Sequence, residues 1–180
     1  NVRCQMEVAM PTFLLGFKSE ATGRGEEAIR QEIIGDLACE ILFGESSALY
    51  LKLYNEGLID GSFGGGFETV DGGTLVTCGG DSEDPEAIRG AILERARALI
   101  QDGIPEADFL RLKRSAMGRR VRDLDSFDST CFRLCAYHFS DFDYFRFPGI
   151  YPDITPDAVL AFLERVICPQ RCAMSIIDPM

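Results

Sequence analysis

One histidine, His138, is all the imidazole this 180-residue chain possesses. Motifs such as His-Glu-x-x-His or His-x-x-Glu-His need two histidines on one helical face, so a zinc-hydrolase centre of that kind is excluded by count. Apolar runs of about 18 residues are missing as well, and no segment reads as a membrane-spanning helix. Cationic excess is lacking: 18 Lys and Arg stand against 29 Asp and Glu, a net charge of -11 with a pI near 4.5. The phosphate-neutralising surface that drives non-specific nucleic-acid binding is therefore not available to the chain as a whole, and anionic membranes are disfavoured for the same reason. The Gly-rich stretch Gly61 to Phe67 lacks the Gly-Lys-Ser/Thr ending of a phosphate cradle, and no Gly-x-Ser-x-Gly elbow occurs. Residues Asn1 to Gln5 carry neither an initiator Met nor the start of a signal peptide, which leads us to expect a processed chain or a piece of a longer protein.

What is there describes a globular protein. Apolar residues make up 46% and charged residues 26%, which excludes disorder and low complexity. The length fits one domain over 1–180. Seven cysteines, at 4, 39, 78, 131, 135, 168 and 172, form an odd set inside apolar patterns. We read them as reduced thiols used as small core hydrophobes in a reducing, cytoplasmic setting. The alternative is a metal held by the Cys131/Cys135 and Cys168/Cys172 pairs, whose spacing is permissible for structural zinc.

The hydrophobic period predicts a strand over 5–18 with Pro11 inside it, then an amphipathic helix from Gly25 to Phe43. Ser46 and Ser47 offer caps to a short helix over Ala48 to Asn55. Strands over 58–70 and 74–80 follow, joined by an Asp71-Gly72-Gly73 hairpin turn. Gly64, Gly65 and Gly66 inside the first of them predict either a bulge or a close approach by another backbone. Asp84-Pro85 opens a helix to Gly103, and Pro105-Glu106 opens one long helix to about Phe139. Residues 142–151 read as a loop, Thr155-Pro156-Asp157 starts a last helix to Val166, and Cys172 to Ile177 form a final strand. This order gives an α+β fold, a mostly antiparallel sheet with helices packed on one face.

Arg111, Lys113, Arg114, Arg119, Arg120 and Arg122 place six basic residues within 12 positions. The plain reading is a solvated helix face with Asp108, Asp123 and Asp125 as neighbours; the sharper one is contact with an acidic partner. His138, between Tyr137 and Phe139, reads as a packed or surface residue and not as a ligand.

From Glu45 to Asp60 the chain runs Glu-Ser-Ser-Ala-Leu-Tyr-Leu-Lys-Leu-Tyr-Asn-Glu-Gly-Leu-Ile-Asp, with the Gly-rich strand, the Asp84-Pro85 helix and the Ile104-Pro105-Glu106 helix behind it. This pattern resembles the C-terminal, non-zinc-binding repeat of the insulinase-like (pitrilysin, mitochondrial processing peptidase) metallopeptidases, closest to the bacterial YmfH-type processing protease branch. The resemblance implies one repeat of the insulinase-type (LuxS/MPP-like) fold and a parent chain about twice as long. Zinc is then expected in the N-terminal half and no cofactor in this one. Active members place an Arg and a Tyr in the second half; Tyr54 and Asp60 stand about where those would be, and neither can stabilise an oxyanion, so no catalytic residue is carried over.

The leading expectation is a non-catalytic domain that closes a peptidase chamber, with Gly64, Gly65, Gly66 and Phe67 as the peptide-binding segment. By this reading its partners are a peptide substrate, its own N-terminal half, and a homologous subunit or second copy. The acidic balance points to basic peptides. An assembly scaffold of the same family is the alternative.

Overall fold

The computed structural model describes residues 1–180 apart from Thr22, Asp71 and Gly72. Five strands form one sheet in the order β1-β5-β2-β4-β3, with β1 at Val2–Met6, β2 at Thr12–Lys18, β3 at Gly64–Val70, β4 at Gly73–Asp81 and β5 at Cys172–Pro179. Period-2 alternation decides which face is buried. Phe13, Leu15 and Phe17 of β2, Val76 and Cys78 of β4, and Met174 and Ile176 of β5 point into the core, while Leu14 between them is exposed. Each fully buried aromatic or aliphatic side chain of this layer contributes roughly 1.5–3 kcal/mol of transfer free energy.

The helices are α1 (Glu26–Phe43), α2 (Ala48–Asn55), α3 (Pro85–Asp102), α4 (Glu106–Arg122), α5 (Phe127–Phe139) and α6 (Pro156–Val166). Their starts follow capping chemistry. Ser47 accepts from the Tyr50 N–H at 3.1 Å, Asp84 from Ala87 at 3.0 Å, and Thr155 from Ala158 at 3.2 Å, the last two with proline at the first helical position. α1 is buried on most of its circumference, with Ile33, Leu37 and Leu42 all but inaccessible. Its Gly35 lies under the Phe67 ring, and a Cβ there would stand 2.5 Å from that ring.

The sheet is mostly antiparallel, as the element order predicts, with one parallel pairing, β1 with β5, making it mixed. Three features depart from the sequence reading. The segment 5–18 is not one strand. β1 ends at Met6, Pro11 precedes β2, and β5 lies between the two. Residues 58–63 are loop, with Phe63 buried against Phe43 and Tyr50. The expected helix over 105–139 is broken. A 3-10 turn at Asp123–Asp125 leads to Ser126 in extended conformation, whose hydroxyl caps α5 through the Ser129 N–H at 3.3 Å. Asp and Ser compete for backbone groups and favour such a restart over helix continuation.

Residues Asp71 and Gly72 of the expected hairpin turn lie outside the described residues; the pairing that flanks them, Val70 with Gly73, is in register. Between 142 and 153 two 3-10 turns bury Tyr144, Phe147 and Tyr151, so this segment is part of the core.

Candidate functional site: a cleft beside a glycine edge strand

β3 is an outermost strand, so among the described residues one side of its backbone has no strand partner. Its glycines do not form a bulge: pairing with β4 is continuous from Gly64 opposite Gly79 to Val70 opposite Gly73. The alternative reading, a close backbone approach, is the one realised. A Cβ on Gly65 would collide with the Thr77 carbonyl oxygen and the Cys78 backbone, whereas the same atom on Gly64 or Gly66 meets open space. Phe67 is half-buried, edge-on to Phe162 at 5.6 Å between ring centroids.

Gly64, Gly65 and Gly66 border a cleft of about 840 Å³ whose other walls come from α1, through Glu40 and Phe43, and from α4, through Arg111, Ser115 and Arg119. Phe67 is not among its lining residues. The charge here does not follow that of the whole chain. Arg111, Arg119, Arg120, Arg122 and Arg133 face Asp36, Glu40, Glu45 and Asp123. A nearly balanced cleft removes the support that net charge gave to a preference for basic peptides.

Three residues of the basic stretch of α4, Lys113, Arg119 and Arg120, are tied into the fold. Arg120 is buried and donates to Glu32 at 2.6 Å, to Asp36 at 2.9 Å and to the Tyr137 hydroxyl at 2.9 Å; that hydroxyl donates to Glu32 at 2.7 Å. Burial works against the Arg120 charge, yet the Glu32 carboxylate and its neighbours outweigh it and hold the guanidinium pKa above its usual value. Burial first, and Glu32 second, push the Tyr137 phenol up. Arg119 reaches Glu40 at 2.6 Å, and Lys113 donates to the carbonyls of Pro152 at 3.1 Å and Ile154 at 2.8 Å. Arg119 and Arg120 thus find acidic partners on α1 of the same chain, while Arg111, Arg114 and Arg122 lie on an exposed face as the solvated-face reading has it, Arg111 paired with Asp108 at 3.8 Å.

Tyr54 and Asp60 stay outside the cleft lining. Tyr54 stacks on Tyr50 at the exposed end of α2, and Asp60 accepts from the Ser62 N–H at 2.7 Å; hydrogen bonding by the Ser62 hydroxyl first, and by its N–H second, lowers the Asp60 pKa. His138 is exposed on α5.

The thiols depart from the core reading. Only Cys39 and Cys78 are buried, Cys168 and Cys172 are intermediate, and Cys4, Cys131 and Cys135 are exposed; all seven are free. Among the described residues no group of three or more His, Cys, Asp and Glu side chains converges as a metal-ligand set. Burial pushes Cys39 well up and Cys78 from 9.0 to about 12. A thiol whose folded pKa lies above its unfolded one stabilises fully below pH 9.0 and progressively less as pH climbs toward about 12. The unfolding free energy from urea titrations should therefore hold up to pH 9 and fall above it, by on the order of 4 kcal/mol at full ionisation of Cys78. Cys78→Ala should flatten this alkaline limb, and an unchanged limb would show that other groups control it.

A family model described as the Peptidase M16 inactive domain matches residues 1–116, from β1 into α4. The chain belongs to this family. Over 180 residues it is 29% identical to the uncharacterized zinc protease YmfH of Bacillus subtilis, covering 97% of this chain and 41% of that protein. An M16-like peptidase from Alicyclobacillus acidocaldarius superposes with a TM-score of 0.90 at 24% identity, covering 99% of this chain and 43% of that one. The inactive peptidase domain of a zinc protease from Bordetella parapertussis superposes at 0.77 with 16% identity, covering 98% of this chain and 94% of the other. The chain spans less than half the length of the first two relatives and nearly all of the third. Among the described residues no helix is long and apolar enough to cross a membrane.

Proposed function

We propose that this M16 inactive domain is the non-catalytic wall of a cytoplasmic zinc endopeptidase about twice its length, and that it holds an extended peptide against β3. The observation that carries the proposal is an unpaired edge strand whose Gly64 and Gly66 present bare backbone beside an open cleft. An edge strand offers a row of N–H and C=O groups that an extended chain can pair with in a sequence-tolerant way, which suits a peptidase that takes unfolded substrates. Zinc and its bound water belong to the N-terminal half in this reading, and no step of hydrolysis runs through the residues described here.

The test uses the full-length protein with its metal removed by chelation, so that peptide is held and not cut. A photo-crosslinking extended peptide should label residues 64–70 and the facing surface of α4. Labelling that avoids β3 would refute the peptide-binding role, and a metal-loaded full-length protein without peptidase activity would favour an assembly scaffold instead.

A further inference from the structure

α4 turns a row of guanidinium groups to the cleft and no acid. Arg111, Ser115, Arg119 and Arg122 recur at helical spacing, which sets them on one stripe of the helix, and all of them line the cleft across from β3. The acids of the lining stand elsewhere: Asp36 and Glu40 on α1, Glu45 after it, and Asp123 just beyond the end of α4.

Pairing inside the chain decides what a ligand meets there. Asp36 holds Arg120 at 2.9 Å, Glu40 holds Arg119 at 2.6 Å and Asp123 holds Arg133 at 3.1 Å. A cation entering the cleft competes with a guanidinium for each of these carboxylates, and only Glu45 among the lining acids has no ion-pair partner among the described residues. An anion finds more on offer. Arg122 is exposed and has no ion-pair partner among the described residues, and Arg111 has only Asp108, outside the lining, at 3.8 Å. Arg119 commits a single N–H to Glu40 and keeps its other donors, with its side chain 49% exposed.

We propose that the cleft selects acidic segments of an extended peptide, whose Asp and Glu carboxylates bind Arg111, Arg119 and Arg122. This rests on the reading that a peptide pairs with β3, and it names the side chains such a peptide carries. A strand added at the edge of β3 turns every second side chain toward the helix layer, where the arginine stripe stands, and the others toward the open face of the sheet. Acidic residues at alternate positions therefore reach the guanidinium groups while the backbone pairs with β3. The planar fork of each guanidinium matches a carboxylate through two parallel hydrogen bonds. This selection opposes the net charge of -11. It acts at contact distance, whereas the field of the whole chain is screened beyond about 8 Å at physiological ionic strength.

Amidated peptides of one length, with Glu, Gln or Lys at alternate positions and a photo-crosslinker at the same place, test this on the full-length, metal-depleted protein at about 0.15 M salt. The Glu peptide should label residues 64–70 at a concentration about threefold to tenfold lower than the Gln peptide, and the Lys peptide should label them least. Arg111→Gln combined with Arg122→Gln, with an unchanged circular dichroism spectrum, should remove the difference between the Glu and Gln peptides. Arg114→Gln, on the exposed face of α4 outside the cleft, should keep it. Equal labelling by the Glu and Gln peptides, or stronger labelling by the Lys peptide, overturns the selection and leaves the β3 reading standing. Peptides none of which label β3 overturn both. A Glu preference that survives the double substitution, or that disappears with Arg114→Gln, puts the recognition outside the cleft and overturns the assignment. A Gln peptide with a free C-terminus separates the two sources of carboxylate: if that one group recovers the whole difference, the arginines hold a peptide end and the side-chain assignment falls.

Discussion

Arg120→Ala is expected to lower the unfolding free energy by about 3 kcal/mol and the melting temperature by roughly 6–12 °C. The guanidinium is 5% exposed and joins three helices: it reaches Glu32 and Asp36 on α1 from its place on α4, and the Tyr137 hydroxyl on α5. Removing it leaves two carboxylates and a phenol facing one another without a cation. A fully buried pair broken in this way costs about 3–5 kcal/mol, and the lower end applies because the Glu32 and Asp36 side chains keep 28% and 40% of their exposure. Arg120→Lys should lose less, about 1–2 kcal/mol, since an ammonium keeps the charge but cannot serve three acceptors with a planar fork. Urea denaturation followed by circular dichroism measures both. A loss below about 1 kcal/mol for the alanine variant would show that solvent replaces the guanidinium and that the network holds nothing together.

Much of this architecture was legible because local chemistry and tertiary packing agree. Ser47, Asp84-Pro85 and Thr155-Pro156 mark helix starts through side-chain oxygens and missing N–H groups, and each start is where those residues place it. The family was legible in the run from Glu45 to Asp60. Strand neighbours were not. Val2–Met6 is exposed throughout while Thr12–Lys18 buries alternate residues, and nothing local says that β5, some 155 residues later, lies between them. The break at Asp123–Asp125 hid inside a continuing apolar period, where only the Asp and Ser residues betrayed it. At the candidate site the glycines pointed to either a bulge or a close backbone approach, and their edge position depends on the strand order. The partner of the α4 arginines could not be read from α4 at all, because Glu32, Asp36 and Glu40 sit about 80 residues earlier, on a helix whose apolar stripe masks them.

The three consecutive glycines make different demands, and this gives the second large effect. Gly65→Ala should cost about 3 kcal/mol or more, while Gly64→Ala and Gly66→Ala should be neutral or slightly stabilising. At Gly65 the new methyl would occupy the position of the Thr77 carbonyl oxygen and the Cys78 backbone, so β3 must draw away from β4. That displacement breaks the pairing of Gly64 with Gly79 and Gly66 with Thr77 on either side, and lifts Phe67 off Gly35 and Phe162. At Gly64 and Gly66 a methyl meets nothing within 4 Å, and replacing glycine in a strand lowers the entropy of the unfolded chain. Thermal melts and amide exchange of β3 distinguish the sites. Equal stability of all three variants would mean that the strands are not this close at Gly65. With stability retained, Gly64→Ala and Gly66→Ala should leave crosslinking to β3 intact, because their methyl groups project from the sheet face and not along the edge where an extended peptide would pair, whereas the collapse caused by Gly65→Ala would abolish crosslinking by removing the strand itself.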